Sequence, residues 1–236
     1  MEIPVYTVDA FTNLPFKGNP AAICPLMHEL SDDLYQKIAA EMNLAETAFV
    51  TRLNPSDNFT TGSRFRLRWF TPTNEVNLCG HATLATAAVL FLYEKNENSC
   101  LELFEDANEF RDIIKVILCC GDVCFSRSVL TSLKVDPAAL MSSEKSGRVK
   151  GLILTMKGHW SKNNIPLVKC YCLISVFAGS AHTVLGSYWS EKLGKKKMLA
   201  FQCSKRGGEL ELEVRDDGRI NICGNAVFVL QGTIKL

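Results

Sequence analysis

The chain has 236 residues, 47% of them hydrophobic and 22% charged, with 26 basic against 25 acidic side chains and a net charge of +1. That length suits one large domain or two lobes of about 100 residues each, and the composition is that of an ordinary soluble globular protein. Well-mixed charge of this kind argues against a nucleic-acid surface and against an acidic disordered tail.

The first residues, MEIPVYTVDAF, carry an early acid and no long apolar region, so a secretory signal is not expected. The ten cysteines should then be reduced thiols in a cytoplasmic protein. Cys119-Cys120, Cys124, Cys170 and Cys172 form no paired CxxC spacing, so buried thiols are expected in place of a zinc site, and the expected metal is none.

Ile3, Val5 and Thr7 alternate over Glu2–Val8, which predicts a strand. Gly18-Asn19-Pro20 is turn chemistry, and an apolar segment from Ala21 to Cys24 returns after it. Ser31 is a candidate N-cap, with Asp32 and Asp33 in the first turn, where the helix dipole favours acids. Leu34, Ile38 and Met42 mark one face of that helix.

The next strand, ending at Val50, contains Glu46 among small and apolar residues. A solvated strand glutamate is one reading. The other is a glutamate held in an apolar pocket, where it could trade protons near neutrality. Arg64, Arg66 and Arg68 alternate with Phe65, Leu67 and Trp69, predicting a half-buried antiparallel strand with a solvated basic face.

From Val76 to Tyr93 there is no charge. A membrane span needs about 20 predominantly apolar residues. Asn77, Gly80, His81 and two threonines spoil the first half, so a core helix buried on all sides is expected, with no membrane partner. Gly80 lets backbone approach a ligand closely, and the free N–H groups of the helix start suit a carboxylate beside His81.

Beyond Glu94 the periodicity weakens. Short strand and helix patterns are expected at Leu101–Phe104, Asp106–Leu118 and Asp136–Met141, with SSEKSG at Ser142–Gly147 as the linker. Strands follow at Val149–Met156 and Leu167–Phe177, then a helix from Ala178 to a Gly194 cap. A strand is expected at Leu199–Cys203, a hairpin over Leu210–Ile222 turning at Asp216-Asp217-Gly218, and a last strand at Ala226–Leu230. The expected lobes are 1–141, with 95–141 atypical, and 148–236, joined by 142–147.

Cys79-Gly80-His81-Ala82 and Ala178-Gly179-Ser180-Ala181-His182 share one pattern: apolar strand, small residue, glycine, polar residue, helix. The two copies suggest similar lobes whose helix starts converge on one cleft.

DAFT at Asp9–Thr12, FKGNPAA at Phe16–Ala22, NLAETAF at Asn43–Phe49, RWFTP at Arg68–Pro72, NLCGHAT at Asn77–Thr83, GSAH at Gly179–His182 and RGGEL at Arg206–Leu210 occur in this order. The set resembles the PhzF-like, or phenazine biosynthesis-like, family within the diaminopimelate-epimerase fold. The resemblance implies an α+β protein of two pseudo-symmetric lobes, each a mostly antiparallel sheet curled around a central helix, and a homodimer. It implies a cofactor-independent isomerase that moves a proton on a small cyclic carboxylic acid, with Glu46 as general acid/base. It also implies that Gly80, His81, Gly179, Ser180 and His182 bind the substrate carboxylate. Racemases of this fold oppose two cysteines; Cys79 stands at the first position but Ala178 at the second, which argues against two-thiol racemisation. The family's Asp-Pro pair before GSAH is replaced by Ser175-Val176, and 95–146 looks shortened. A binding scaffold that has lost catalysis is therefore the alternative, and a cysteine hydrolase built on Cys79 is a third reading.

Overall fold

A computed structural model describes residues 1–54, 56–104, 153–157, 165–172 and 178–236. Its strands are β1 (Glu2–Ala10), β2 (Asn19–Leu26), β3 (Glu46–Arg52), β4 (Arg64–Phe70), β5 (Glu75–Val76), β6 (Glu102–Phe104), β7 (Ile153–Lys157), β8 (Leu167–Cys172), β9 (Lys197–Gln202), β10 (Glu209–Val214), β11 (Ile220–Cys223) and β12 (Ala226–Lys235). Its helices are α1 (Asp32–Met42), α2 (Gly80–Ala88) and α3 (Ala178–Leu193). Two units result: Met1–Glu109 with Gly224–Leu236, and Phe110–Cys223. The chain is thus α+β, as the sequence predicts.

The first unit holds a sheet in the order β12-β1-β2-β3-β4-β5, with β6 also paired to β4. β2–β3 and β4–β6 are parallel and the other pairs antiparallel. Strands buried on both faces read as continuous apolar runs. That is the case for β2 and β3, which run between two helices. On one side Ala22, Cys24, Leu26, Phe49 and Phe70 pack with Tyr35, Ile38 and Ala39 of α1. The alternate residues, including Ala21, Ile23, Ala48 and Val50, are buried on the face toward α2, which packs on β1, β2 and β3. Asn43 closes α1 in the left-handed conformation at φ 49°, a role asparagine fills with little steric cost.

The central helix is shorter and less enclosed than its composition predicts. Ala82, Ala85, Thr86, Val89 and Leu90 are buried. The last turn, Val89–Tyr93, is π-helical, with Glu94 N–H donating to the Val89 carbonyl and Asn96 N–H to that of Leu90. Widening the turn swings the following side chains outward, and Leu92 is 64% and Tyr93 41% exposed. Thr83, Leu84, Ala87 and Ala88 are only half-buried, so one face of the helix is incompletely covered along its length and burial on all sides does not hold.

The basic face of β4 differs from the expected solvated row. Arg68 is bidentate to Glu75 at 2.6 and 2.7 Å, bonds Asp32 at 2.8 Å, and lies over the rings of Tyr35 and Phe70. Arg64 pairs with Glu102 and Arg66 with Glu29. The arginines are spent on tying α1, β5 and β6 to β4, which is the use to which a planar, always-charged guanidinium is suited.

The second unit has a sheet in the order β11-β10-β9-β8-β7, parallel only at β8–β9. In each unit a strand, a helix and a parallel partner follow in turn: β4, α2 and β6, then β8, α3 and β9. Both glycine-led segments of the expected repeat lie at helix starts, Gly80 in α2 and Gly179 in α3. The hairpin β10–β11 turns at Gly218 with φ 81°. Gly194 caps α3 at φ 61°. The last strand departs from the expected lobe division: β12 extends to Lys235 and pairs along the whole of β1 in the first unit. Strand patterning fixes its face but not its partner. The expected helices at Asp106–Leu118 and Asp136–Met141, the linker at 142–147 and Ser175-Val176 lie outside the described residues. Among the described residues no helix is long and apolar enough to cross a membrane.

A fully buried leucine truncated to alanine loses both transfer energy and packing. We expect Leu90→Ala to cost about 2–5 kcal/mol in urea unfolding, and Leu92→Ala to change stability by less than about 0.5 kcal/mol. Equal losses would show that the π-helical turn does not emerge from the core.

Candidate active site

Glu46 is the first residue of β3, in register with Ala21 of β2. Its side chain is 1% exposed, so the structure takes the pocket reading over the solvated strand glutamate. Cys79 caps α2 in extended conformation, Gly80 is the first helical residue and His81 the second. Because Cys79 remains extended at φ −146° and ψ 101°, its side chain and that of His81 fall on the same side of the helix start. Thr83 satisfies the Cys79 carbonyl twice, through its N–H at 3.0 Å and its hydroxyl at 2.8 Å, which anchors this corner.

The imidazole of His81, also 1% exposed, contacts both other groups. Nε2 is 3.0 Å from Glu46 Oε2, and Nδ1 is 3.3 Å from Cys79 Sγ. The contact with Nε2 is an ion-pair approach, and Oε2 meets no hydrogen-bond criterion among the described residues. Burial alone pushes the imidazole's pKa down. The neighbouring Cys79 sulfur and Glu46 carboxyl group outweigh burial and hold it up at about 10. His81 is thus held toward its protonated form at neutral pH, with the Cys79 sulfur within 3.9 Å of both ring nitrogens.

The loop between β1 and β2 ends near this corner. Asp9 is buried and accepts the Phe16 N–H at 2.7 Å, and both Phe11 and Phe16 have positive φ, 60° and 65°. Aromatic residues rarely adopt that backbone. The DAFT and FKGNP motifs signal the loop, but not its conformation. Gly18, at φ 62°, has no room for a side chain: a Cβ would come within 2.1 Å of the Ala10 carbonyl oxygen.

Glu46, Gly80 and His81 are therefore brought together in the first unit, and Cys79 joins them. The sequence reading weighed Cys79 only as a racemase or hydrolase nucleophile and missed its contact with the imidazole. The Cys-x-His spacing across a helix start was the available signal. Gly179, Ser180 and His182 lie in the first turns of α3 in the second unit, with His182 buried.

The family model described as "Phenazine biosynthesis-like protein" matches residues 8–111 and 176–232. The chain is 44% identical to the phenazine biosynthesis-like domain-containing protein of Homo sapiens, over 288 aligned positions covering 99% of both chains. It is 33% identical to an uncharacterized isomerase of Halalkalibacterium halodurans, over 283 positions covering 100% of both. It also superposes on the crystal structure of a phenazine biosynthesis protein of the PhzF family from Enterococcus faecalis, with a TM-score of 0.80, 29% identity and full coverage of both chains. The alignment with the human protein runs over more positions than this chain has residues, so the relative carries residues with no counterpart here.

For the histidine the sign of the pH effect is fixed by its shift. The folded ring holds its proton up to about 10 against 6.5 for the ordinary group, so its contribution is fully present below 6.5 and lost as pH climbs through 10. We expect the urea midpoint of metal-free protein to fall across that window, and His81→Gln to remove most of the fall. A midpoint that rises over the same range would contradict a cationic His81.

Proposed function

The chain belongs to the phenazine biosynthesis-like (PhzF) family, and from that premise we propose that it is a cofactor-independent isomerase acting on a small cyclic carboxylic acid. Its α+β fold is the diaminopimelate-epimerase-like one. The observation that carries the proposal is the Glu46 carboxylate: buried, beside an imidazolium, with one oxygen that accepts no directed hydrogen bond among the described residues.

In this reading Glu46 takes a proton from a ring carbon, the electron pair moves through the adjacent double bond, and the same carboxyl returns the proton to another carbon on that face. No atom is gained or lost and no electron acceptor is needed. His81 stabilises the negative charge that develops on the substrate, because a fixed cation in a dry site acts without reorganising solvent. Backbone N–H groups at Gly80 hold the substrate carboxylate at the start of α2, and Gly179, Ser180 and His182 stand at the corresponding helix start of the second unit. A cytoplasmic homodimer belongs to the same proposal, and size-exclusion chromatography tests the dimer.

A binding scaffold without catalysis is the second reading. The family match breaks off between residues 112 and 175, and Ser175-Val176 stand where the resemblance calls for Asp-Pro.

General acid–base catalysis contributes about 10²–10⁴-fold. We therefore expect Glu46→Gln to lower deuterium exchange into small cyclic acids by that order while leaving the circular dichroism spectrum unchanged. Equal exchange by both proteins would end the assignment. Thermal stabilisation by carboxylates without any exchange would favour the scaffold, since a ligand stabilises any folded protein that binds it.

A further inference from the structure

Resting on that reading of the site, the geometry points to a second ligand for the same corner: one thiophilic divalent cation of the zinc class, held by Cys79, His81 and Glu46, whose binding takes the acid/base out of action. One donor atom from each residue lies within 4.8 Å of the other two, and all three side chains are buried. His81 Nε2 is 3.0 Å from Glu46 Oε2 and 3.9 Å from Cys79 Sγ. Tetrahedral zinc, with bonds of about 2.0–2.3 Å, holds its nitrogen and oxygen donors about 3.3 Å apart and its nitrogen and sulfur donors about 3.6 Å apart. Both pairs are therefore near their liganded separations before any ion arrives.

The donor set selects the ion. A thiolate with an imidazole suits zinc and its soft neighbours, and magnesium and calcium demand oxygen ligands. Three protein ligands leave a fourth position open, the arrangement of a site that accepts water or a small anion. The orphaned Glu46 oxygen is an independent indication, because a buried carboxylate oxygen without a directed partner among the described residues lacks the hydrogen bond that ordinarily offsets its burial. Binding is an exchange of Lewis acids: the metal replaces the proton on Nε2 and any proton on the thiol, and these pass to solvent. Nδ1 keeps its hydrogen, and no electron is transferred. With the metal on Oε2, Glu46 can no longer take a proton from carbon.

The absence of a CxxC pair, which the sequence reading took as a sign of no metal, does not bear on this set. Two ligands come from one helix start and the third from a strand 33 residues earlier, counting from Glu46 to Cys79.

The test uses the full chain stripped with a chelator and titrated with zinc sulfate alone by calorimetry. A parallel titration with cobalt(II) is followed by absorption. Difference measurement removes any contribution of the remaining cysteines. We expect Cys79→Ser to lose one equivalent of zinc and the matching thiolate-to-cobalt charge-transfer band, and Glu46→Gln to weaken the same equivalent. Identical stoichiometry and spectra in wild type and Cys79→Ser would overturn the site. Should Cys79→Ser fail to fold, unchanged zinc binding by Glu46→Gln overturns it equally. Proton exchange is measured separately on the metal-free protein. Zinc binding without exchange sinks the isomerase and keeps the metal site, and exchange that zinc neither inhibits nor binds to affect sinks the metal site alone.

Discussion

The contact of Glu46 with the His81 imidazolium is the constraint on which the first unit depends. Moving a carboxylate out of water costs several kcal/mol, and a close opposite charge offsets part of it. Here the two charged groups come from different elements, so both elements must start at fixed points. β3 has to begin at Glu46, in parallel register with Ala21, and α2 has to begin at Gly80 with Cys79 still extended. The Cys79 sulfur, 3.3 Å from Nδ1 and 3.9 Å from Nε2, is the third group at this corner. Three ionisable groups thus share one corner of an otherwise apolar interior.

Around that corner the packing is conventional and the surface charges are used structurally. β2 and β3 are covered on both faces, which frees them from any need for polar alternation. Arg68 is the counterpart of His81 on the α1 face of the sheet: it is a partly covered cation held by two acids and two rings, but it joins elements and leaves no group available for chemistry. The difference between the two cations is one of satisfaction. Arg68 has well-directed hydrogen bonds to both carboxylates, whereas the Glu46 oxygen beside His81 has none among the described residues. A polar group left in that state inside a protein is expensive, and such groups concentrate where ligands bind.

On the readings proposed above, proton transfer and metal binding would compete for one place. A base that must take a proton from carbon needs a lone pair with no fixed partner, and a soft cation needs the same lone pair. The family relationship supports the isomerase reading of the site. The metal reading follows from interatomic distances within this chain.

Much of the fold was legible in the residues because local rules decided it. Alternation placed β1, β4 and the β10–β11 hairpin, Ser31 marked the start of α1, and the glycine-led starts of α2 and α3 were visible as a repeat. Glu46, Gly80 and His81 were named as site residues from motifs. Tertiary structure decided what local pattern could not. An alternating strand carries no mark of its neighbour, so only the assembled sheet put β12 beside β1 and outside the second unit. The widened turn at Val89–Tyr93 exposed Leu92, though its composition is that of a core helix. Whether Glu46 was a solvated strand residue or a buried one depended on what covered the first position of β3, and an imidazole 35 residues away in sequence covers it. Sequence determined which groups were present and the faces they occupied; their charge state and their partners are properties of a low-dielectric enclosure that exists only once the chain has closed around them.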